Sequence, residues 1–390
     1  MGTPPESKNR LDGIDLLRGL VMVIMALDHT RDYFTNAFFD PVDLTKTTPG
    51  LFLTRWITHY CAPVFIFLAG TGAFLSGSRG KTSGQLAWFL LTRGLWLVVL
   101  ELTWVRASWM FNWDLHEHGA GVFWSIGWSM VALSALVFLP LSAITAFGLV
   151  MISFHNTLDN LTPEQVGMPE WLWVILHHGE GFAFQPYFSF GAAYKLIPWI
   201  GVMAAGYGFG AFFLLEPKAR QRQMVGLGAV LTLSFIAIRA VNLYGDLHPW
   251  MLQKDNLFTF LSFLNCWKYP PSLDYLLMTL GPAIMALAWF DRGVGRLGRP
   301  LVVFGRVPLF FYLLHIPLIH GLAVAVDFYR FGWSPMTVDG PWVPKLEKGY
   351  GFPLWQVYLI WLGVVLALYP VCYWFARVKQ KSRSPWLSYL

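Results

Sequence analysis

Residues 10–34 read RLDGIDLLRGLVMVIMALDHTRDYF. From Gly19 to Leu27 no side chain is polar, and ionisable groups crowd both flanks. An apolar stretch near 20 residues matches a hydrocarbon layer of ~30 Å at 1.5 Å per residue. Arg18, Asp28 and His29 lie in the stretch, and no small-residue cleavage site follows. It therefore reads as a retained first membrane span and not as a signal peptide.

Nine further apolar stretches follow: 51–76, 86–106, 122–139, 140–155, 196–215, 225–241, 272–290, 302–326 and 354–376, with the first span taken as 14–34. The pair 122–139 and 140–155 is one run hinged at Pro140. Composition agrees. Of 390 residues, 56% are hydrophobic and only 13% charged, about half the ~25% usual in soluble domains. Too few charges remain to coat soluble domains of this size. The fold class is all-α: a polytopic membrane bundle of about ten helices. Residues 1–13 form an N-terminal tail, 14–376 a single transmembrane domain and 377–390 a C-terminal tail.

The net charge of +6 has a topological explanation. The two tails and the segments 77–85, 216–224 and 291–301 are short yet hold 14 Lys and Arg. The alternate loops are far longer and hold seven. Cytoplasmic loops carry the excess of Lys and Arg, so both termini are expected in the cytoplasm. No basic tract of nucleic-acid type occurs. Two of the three cysteines, Cys61, Cys266 and Cys372, sit in apolar segments, so no disulfide framework is implied.

The first span carries the chemistry. Arg18 and His29 are eleven residues apart, nearly three helical turns, so they share a face about 16 Å apart along the axis. Asp15 lies a turn below Arg18. Asp32 lies at i+3 from His29 and is placed to orient it. Asp28 joins this ionisable set, although at i−1 its side chain points elsewhere. Ionisable groups inside a span mark functional sites by default. The stripe suits a long thin substrate such as coenzyme A, with its phosphates near the cytoplasmic cations and its thioester near His29. A neutral imidazole suits acyl transfer because its pKa lies near working pH. The plain alternative is that Arg18 and His29 merely mark two interfaces. A transporter or flippase of an anionic lipid or metabolite would use the same stripe and stays open.

The run Arg10-Leu-Asp-Gly-Ile-Asp15-Leu-Leu-Arg18-Gly19-Leu, followed by Met25 and His29, resembles the opening of the heparan-alpha-glucosaminide N-acetyltransferase-like family. The Arg18-x10-His29 spacing also resembles a signature of the wider superfamily of transmembrane acyltransferases. CAPVFIFLAGTGAFL (61–75), KYPPSLDYLLMTLGPA (268–283) and GRVPLFFYLLHIPLIH (305–320) support the narrower likeness. It implies transfer of an acetyl or other acyl group from cytosolic acetyl-CoA or acyl-CoA to an amine or hydroxyl of an outward-facing sugar or glycoconjugate. By position, the family's catalytic histidine falls on His29. The resemblance implies a multi-pass protein of the cell (inner or plasma) membrane, with a homodimer among the assemblies it allows.

Other residues complete the candidate set. Arg296, Arg299 and Arg306 make a basic mouth suited, with Arg18, to donor phosphates. Arg55 and His59, one turn apart near the depth of His29, are candidates for acceptor contact. So are Lys268, with its neighbours Asn265 and Tyr269, and the mid-span His315. Plain interface anchoring and positive-inside bias are the alternatives. The His-rich stretches around His116, His118, His177 and His178 match no zinc signature, so no metal is expected.

Overall fold

The computed structural model describes residues 11–114, 116–184, 186–332, 351–382 and 387. Lys8 and Arg10 of the N-terminal tail, Lys345 and Lys348 of the last loop, and Arg383 of the C-terminal tail lie outside the described residues.

The molecule is mostly helical. Among the described residues, eight helical segments are long and apolar enough to cross a membrane: Pro49–Gly77, Ser83–Met110, Leu141–Leu158, Leu196–Leu214, Pro217–Val241, Leu273–Phe290, Pro308–Phe331 and Leu354–Lys381. The chain is therefore a multi-pass membrane protein. The other two expected stretches are helical too. α1 (Asp12–Phe34) carries more charge than the eight. The 15-residue helix Val122–Leu136 is shorter.

Prolines explain the interruptions. The segment 49–77 is two helices, α2 (Pro49–Thr58) and α3 (Cys61–Gly77), with Pro63 in the first turn of the second. Next come α4 (Ser83–Leu100), one π-helical turn at Glu101–Val105, and α5 (Arg106–Met110). α6 (Val122–Leu136) and α7 (Leu141–Phe154) separate at Pro140, which lacks the N–H a continuing helix needs. Between α7 and the last helices lie the short α8 (Pro163–Val166) and α9 (Glu170–Leu176), then α10 (Leu196–Phe209), α11 (Pro217–Val241), α12 (Asn256–Leu264) and α13 (Leu273–Phe290). The expected stretch 302–326 divides as 122–155 does, into α14 (Arg299–Arg306) and α15 (Pro308–Phe331), with Pro308 in the first turn of α15. α16 (Leu354–Lys381) completes the set.

α1 is the hub of the bundle, in contact with α2, α3, α13, α14, α15 and α16. Its closest neighbour is α14. A Cβ on Gly19 would fall 1.8 Å from the Leu301 carbonyl oxygen, and one on Gly305 would fall 1.8 Å from that of Asp15. Two glycines facing opposite ways across one crossing let the backbones touch, as small residues do at membrane helix interfaces. Large apolar side chains such as Trp88, Leu233, Leu366 and Trp374 point outward, the surface a lipid-facing bundle needs.

The long loops hold structure that a helix reading leaves out. β1 (Glu117–Gly119) runs parallel to β3 (Phe188–Gly191), and β2 (Gly181–Phe184) pairs antiparallel with β3, in the order β1-β3-β2. This sheet joins the α5–α6 and α9–α10 connections.

Candidate active site

The far end of α1 builds the site. His29 Nδ1 lies 2.7 Å from Nε2 of His315, a fully buried residue of α15. His315 Nδ1 lies 2.7 Å from the Tyr312 carbonyl oxygen and 3.3 Å from that of Phe311. Helical carbonyls only accept, so His315 Nδ1 carries a hydrogen and donates it. With both rings neutral, His315 Nε2 then has a lone pair and accepts from His29 Nδ1–H. The hydrogen-bond inventory of neutral imidazole leaves His29 Nε2 as an acceptor. The Trp109 ring meets His29 edge-on, with centroids 4.9 Å apart at 76°. The Tyr33 hydroxyl fixes Trp109 by donating to its carbonyl at 2.7 Å.

The neighbouring acids serve the arginines. Asp28 is paired with Arg31 at 2.7 Å and with Arg55. Asp32 accepts from Arg31 at 2.6 Å. The orienting position expected for Asp32 is thus occupied geometrically by His315, because Arg31, adjacent in sequence, holds the Asp32 carboxylate. Asp28 and Arg55 are likewise engaged with each other. Buried guanidinium groups require such partners.

A cavity of about 1110 Å³ opens beside His29. Its walls include Asp28, Asp32, Arg55, Lys268 and Tyr269 from the expected set, together with Arg31. His59 is buried off the cavity, its carbonyl accepting from the Tyr275 hydroxyl at 2.7 Å. Arg18, Arg296, Arg299 and Arg306 also lie off it, at the other end of α1. There Arg18 contacts Asp15 at 3.3 Å and the Gly305 carbonyl at 3.4 Å. Arg306 pairs with Asp12 at 3.1 Å, while Arg296 and Arg299 are exposed.

Among the lining residues that the sequence does not mark as site residues are Glu101, Arg106, Lys195 and Tyr312. Glu101 carries a signal, an acid inside an apolar stretch. Its carboxylate accepts from the backbone N–H of Phe123 at 2.9 Å at the start of α6, and a Cβ on Gly121 would fall 2.2 Å from Glu101 Oε1. The others sit after the π-helical turn, in a loop or one turn from His315, where spacing gives no cue. Burial pushes the Lys195 ammonium down to about 8. Burial acts to raise Tyr269, but Lys268 and Arg55 outweigh it and hold the phenol below its usual range. Of the His-rich stretches, His118, His178 and Glu180 line the cavity, while His177 is held by Asp159 at 2.8 Å.

A family model described as heparan-alpha-glucosaminide N-acetyltransferase, catalytic, matches residues 10–245. No curated protein matches the chain. The matched interval covers more than half of the 390 residues and runs from the start of α1 past the end of α11. It holds His29, Trp109, Glu101 and the sheet, while His315 and Lys268 lie beyond it. The chain belongs to the heparan-alpha-glucosaminide N-acetyltransferase catalytic-domain family, which points to a membrane acetyltransferase with acetyl-CoA as its donor.

Proposed function

We propose that this protein moves an acetyl group from cytosolic acetyl-CoA to an amine or hydroxyl of a sugar or glycoconjugate on the opposite side of the cell membrane, with His29 as general base. The observation that carries this reading is His29 on the cavity wall, backed by the buried and backbone-anchored His315 behind it. His29 Nε2 takes the proton of the attacking amine or hydroxyl as the new C–N or C–O bond forms. The imidazolium is stabilised through Nδ1–H by His315. The C–S bond then breaks, and the departing thiolate receives the proton from His29 Nε2. This is the base-and-orienter logic of a catalytic triad, with a backbone-anchored histidine in the carboxylate's place.

The donor enters, on this reading, from the Arg18 end. Arg18, Arg296, Arg299 and Arg306 supply cations there for its phosphates. Both termini then lie in the cytoplasm, and 14–376 acts as a single catalytic domain. The biased distribution of Lys and Arg supports the orientation. The contacts of α1 with helices from both ends of the chain support the single domain.

The test is transfer of radiolabel from acetyl-CoA by the purified protein, with amino sugars and an envelope-glycan extract as acceptors. His29→Ala should abolish labelled product while leaving folding and CoA binding intact. Turnover that survives in this variant would sink the assignment. Thiol labelling of single cysteines placed in 77–85 and in 35–50 reads the orientation: only the second should react from outside intact cells.

A further inference from the structure

The charges facing the cavity do not cancel in its interior. The interior cations divide into two groups. Arg31 and Arg55 are neutralised by Asp28 and Asp32. Lys195, Lys268 and Arg106 are not: among the described residues no ion pair joins any of them to a carboxylate. Yet they are 4%, 9% and 9% exposed. Lys195 donates to the Ala192 carbonyl, and Arg106 to the carbonyls of Glu117 and Asn112. Lys268 Nζ stands 5.1 Å from the centre of the Tyr269 ring. Tyr269 in turn packs edge-on against Tyr194, 5.3 Å away.

Asp28 lies within electrostatic reach of Lys268, and Glu180 of Lys195, but neither forms an ion pair with that lysine, and Asp28 is already shared by Arg31 and Arg55. Glu101 is committed to the α6 backbone. Asp40, Glu117 and Glu180 line the cavity but are exposed to solvent at its rim. A buried ammonium with no carboxylate in direct contact is costly unless an anion completes the site. Solvated rim acids are screened and compensate little.

We propose that the wall formed by Lys268, Lys195 and Arg106 is an anion subsite, and that the acceptor carries a phosphate or carboxylate group that docks there while its amine or hydroxyl faces His29. The assignment deepens the acetyltransferase reading and rests on it for the word acceptor. The subsite itself rests on burial and charge alone. A flexible lysine pair suits a tetrahedral or planar anion as point charges, and Arg106 adds a directed donor. Tyr269, beside Lys268 on the cavity wall, offers a hydroxyl to the same group.

The experiment separates binding from turnover by using the full chain with His29→Ala in phosphatidylcholine nanodiscs. Glucosamine, glucosamine 6-phosphate and an amino sugar bearing a carboxylate are titrated by calorimetry. At least one anionic sugar should bind tenfold or more tightly than glucosamine, and raised salt should shrink the difference. Lys268→Met and Lys195→Met should each bring the ratio below threefold, while Lys268→Arg keeps it. Comparing the two anionic probes identifies phosphate or carboxylate. Equal binding of neutral and anionic sugars overturns the proposal, as does a preference that survives both Met variants. Loss of the preference in phosphatidylglycerol nanodiscs would give the site to a lipid headgroup and overturn the acceptor assignment. Placed in the otherwise wild-type protein, Met variants that raise KM for acetyl-CoA with the acceptor preference intact would give the cations to the donor and overturn it equally. If the preference holds but the wild-type protein transfers no acetyl group, the acetyltransferase reading fails and the anion subsite stands.

Discussion

Replacing His315 tests the site more sharply than replacing His29, because His315 never needs to touch substrate. His315→Leu keeps most of the buried volume and removes both hydrogen bonds, the 2.7 Å contact to His29 Nδ1 and the 2.7 Å contact to the Tyr312 carbonyl. His29 then loses the group that fixes its tautomer and supports its charged form. A hydrogen bond to a charged group contributes about 1.5–3 kcal/mol. Each ~1.4 kcal/mol is a factor of ten, so kcat/KM should fall about 10- to 100-fold. His315→Gln provides the contrast. Its amide oxygen can accept from His29 Nδ1–H, and its NH2 can donate to the helix carbonyl. Its loss should stay within about fivefold of wild type, on the weaker end of the same hydrogen-bond scale. The assay is acetyl transfer from labelled acetyl-CoA at subsaturating acceptor, with thermal midpoints recorded for each variant. If His315→Leu stays within threefold of wild type, or if His315→Gln falls as far as His315→Leu with both folded, the pair is packing and nothing more.

Three further sites respond to perturbation in distinguishable ways. Lys195, pushed down to about 8 by burial, is charged below that pH and neutral above it, so affinity for an anionic acceptor should fall as pH rises through 8; Lys195→Arg should flatten the curve to pH 9, seen in acceptor KM. Asp28→Asn strands Arg31 and Arg55 without a shared carboxylate, a change worth about 3–5 kcal/mol of stability; folded yield and thermal midpoint should drop, and a fully stable but inactive variant would return Asp28 to the chemistry. Gly305→Ala puts a Cβ against the Asp15 carbonyl, 1.8 Å away before any shift; forcing α1 from α14 should cost about 1–3 kcal/mol, read as a lower midpoint that no acceptor or donor restores.

The fold is legible because a membrane imposes length and polarity on every span. Each expected apolar stretch coincides with a helix or a pair of helices, and the breaks between paired helices fall just before Pro63, at Pro140 and at Pro308, where an N–H is missing. Helical periodicity also puts His29 at the ionisable end of α1. It cannot name a neighbour. The i+3 rule offers Asp32 to His29, but Arg31, between Asp28 and Asp32 in sequence, reaches both carboxylates. A guanidinium with five donors outcompetes an imidazole for buried acids. The actual partner is 286 residues away, at a separation no local rule spans. Lys195 and Arg106 are illegible for a related reason: sheet pairing between β1 and β3, and a π-helical turn before Arg106, bring them to the cavity.

The proposed catalytic unit extends past the family match. The match ends at residue 245, inside the loop after α11. His29 lies within the matched interval, but His315, Lys268 and Tyr312 lie past it. So does α14, whose Gly305 seats α1 by backbone contact. A chain cut after 245 would keep the proposed base and lose its orienting ring, one wall of the cavity and four of the six helices that surround α1, namely α13 to α16. Re-supplying 246–390 as a separate polypeptide in the same membrane should restore acetyl transfer, because membrane helices form independently and then associate. Re-supplying it with His315→Leu should restore the fold of α1 and leave turnover down by the same 10- to 100-fold, about the loss of that charge-assisted bond. Full activity from 1–245 alone would remove His315 from the mechanism and leave His29 to find its orienter within α1.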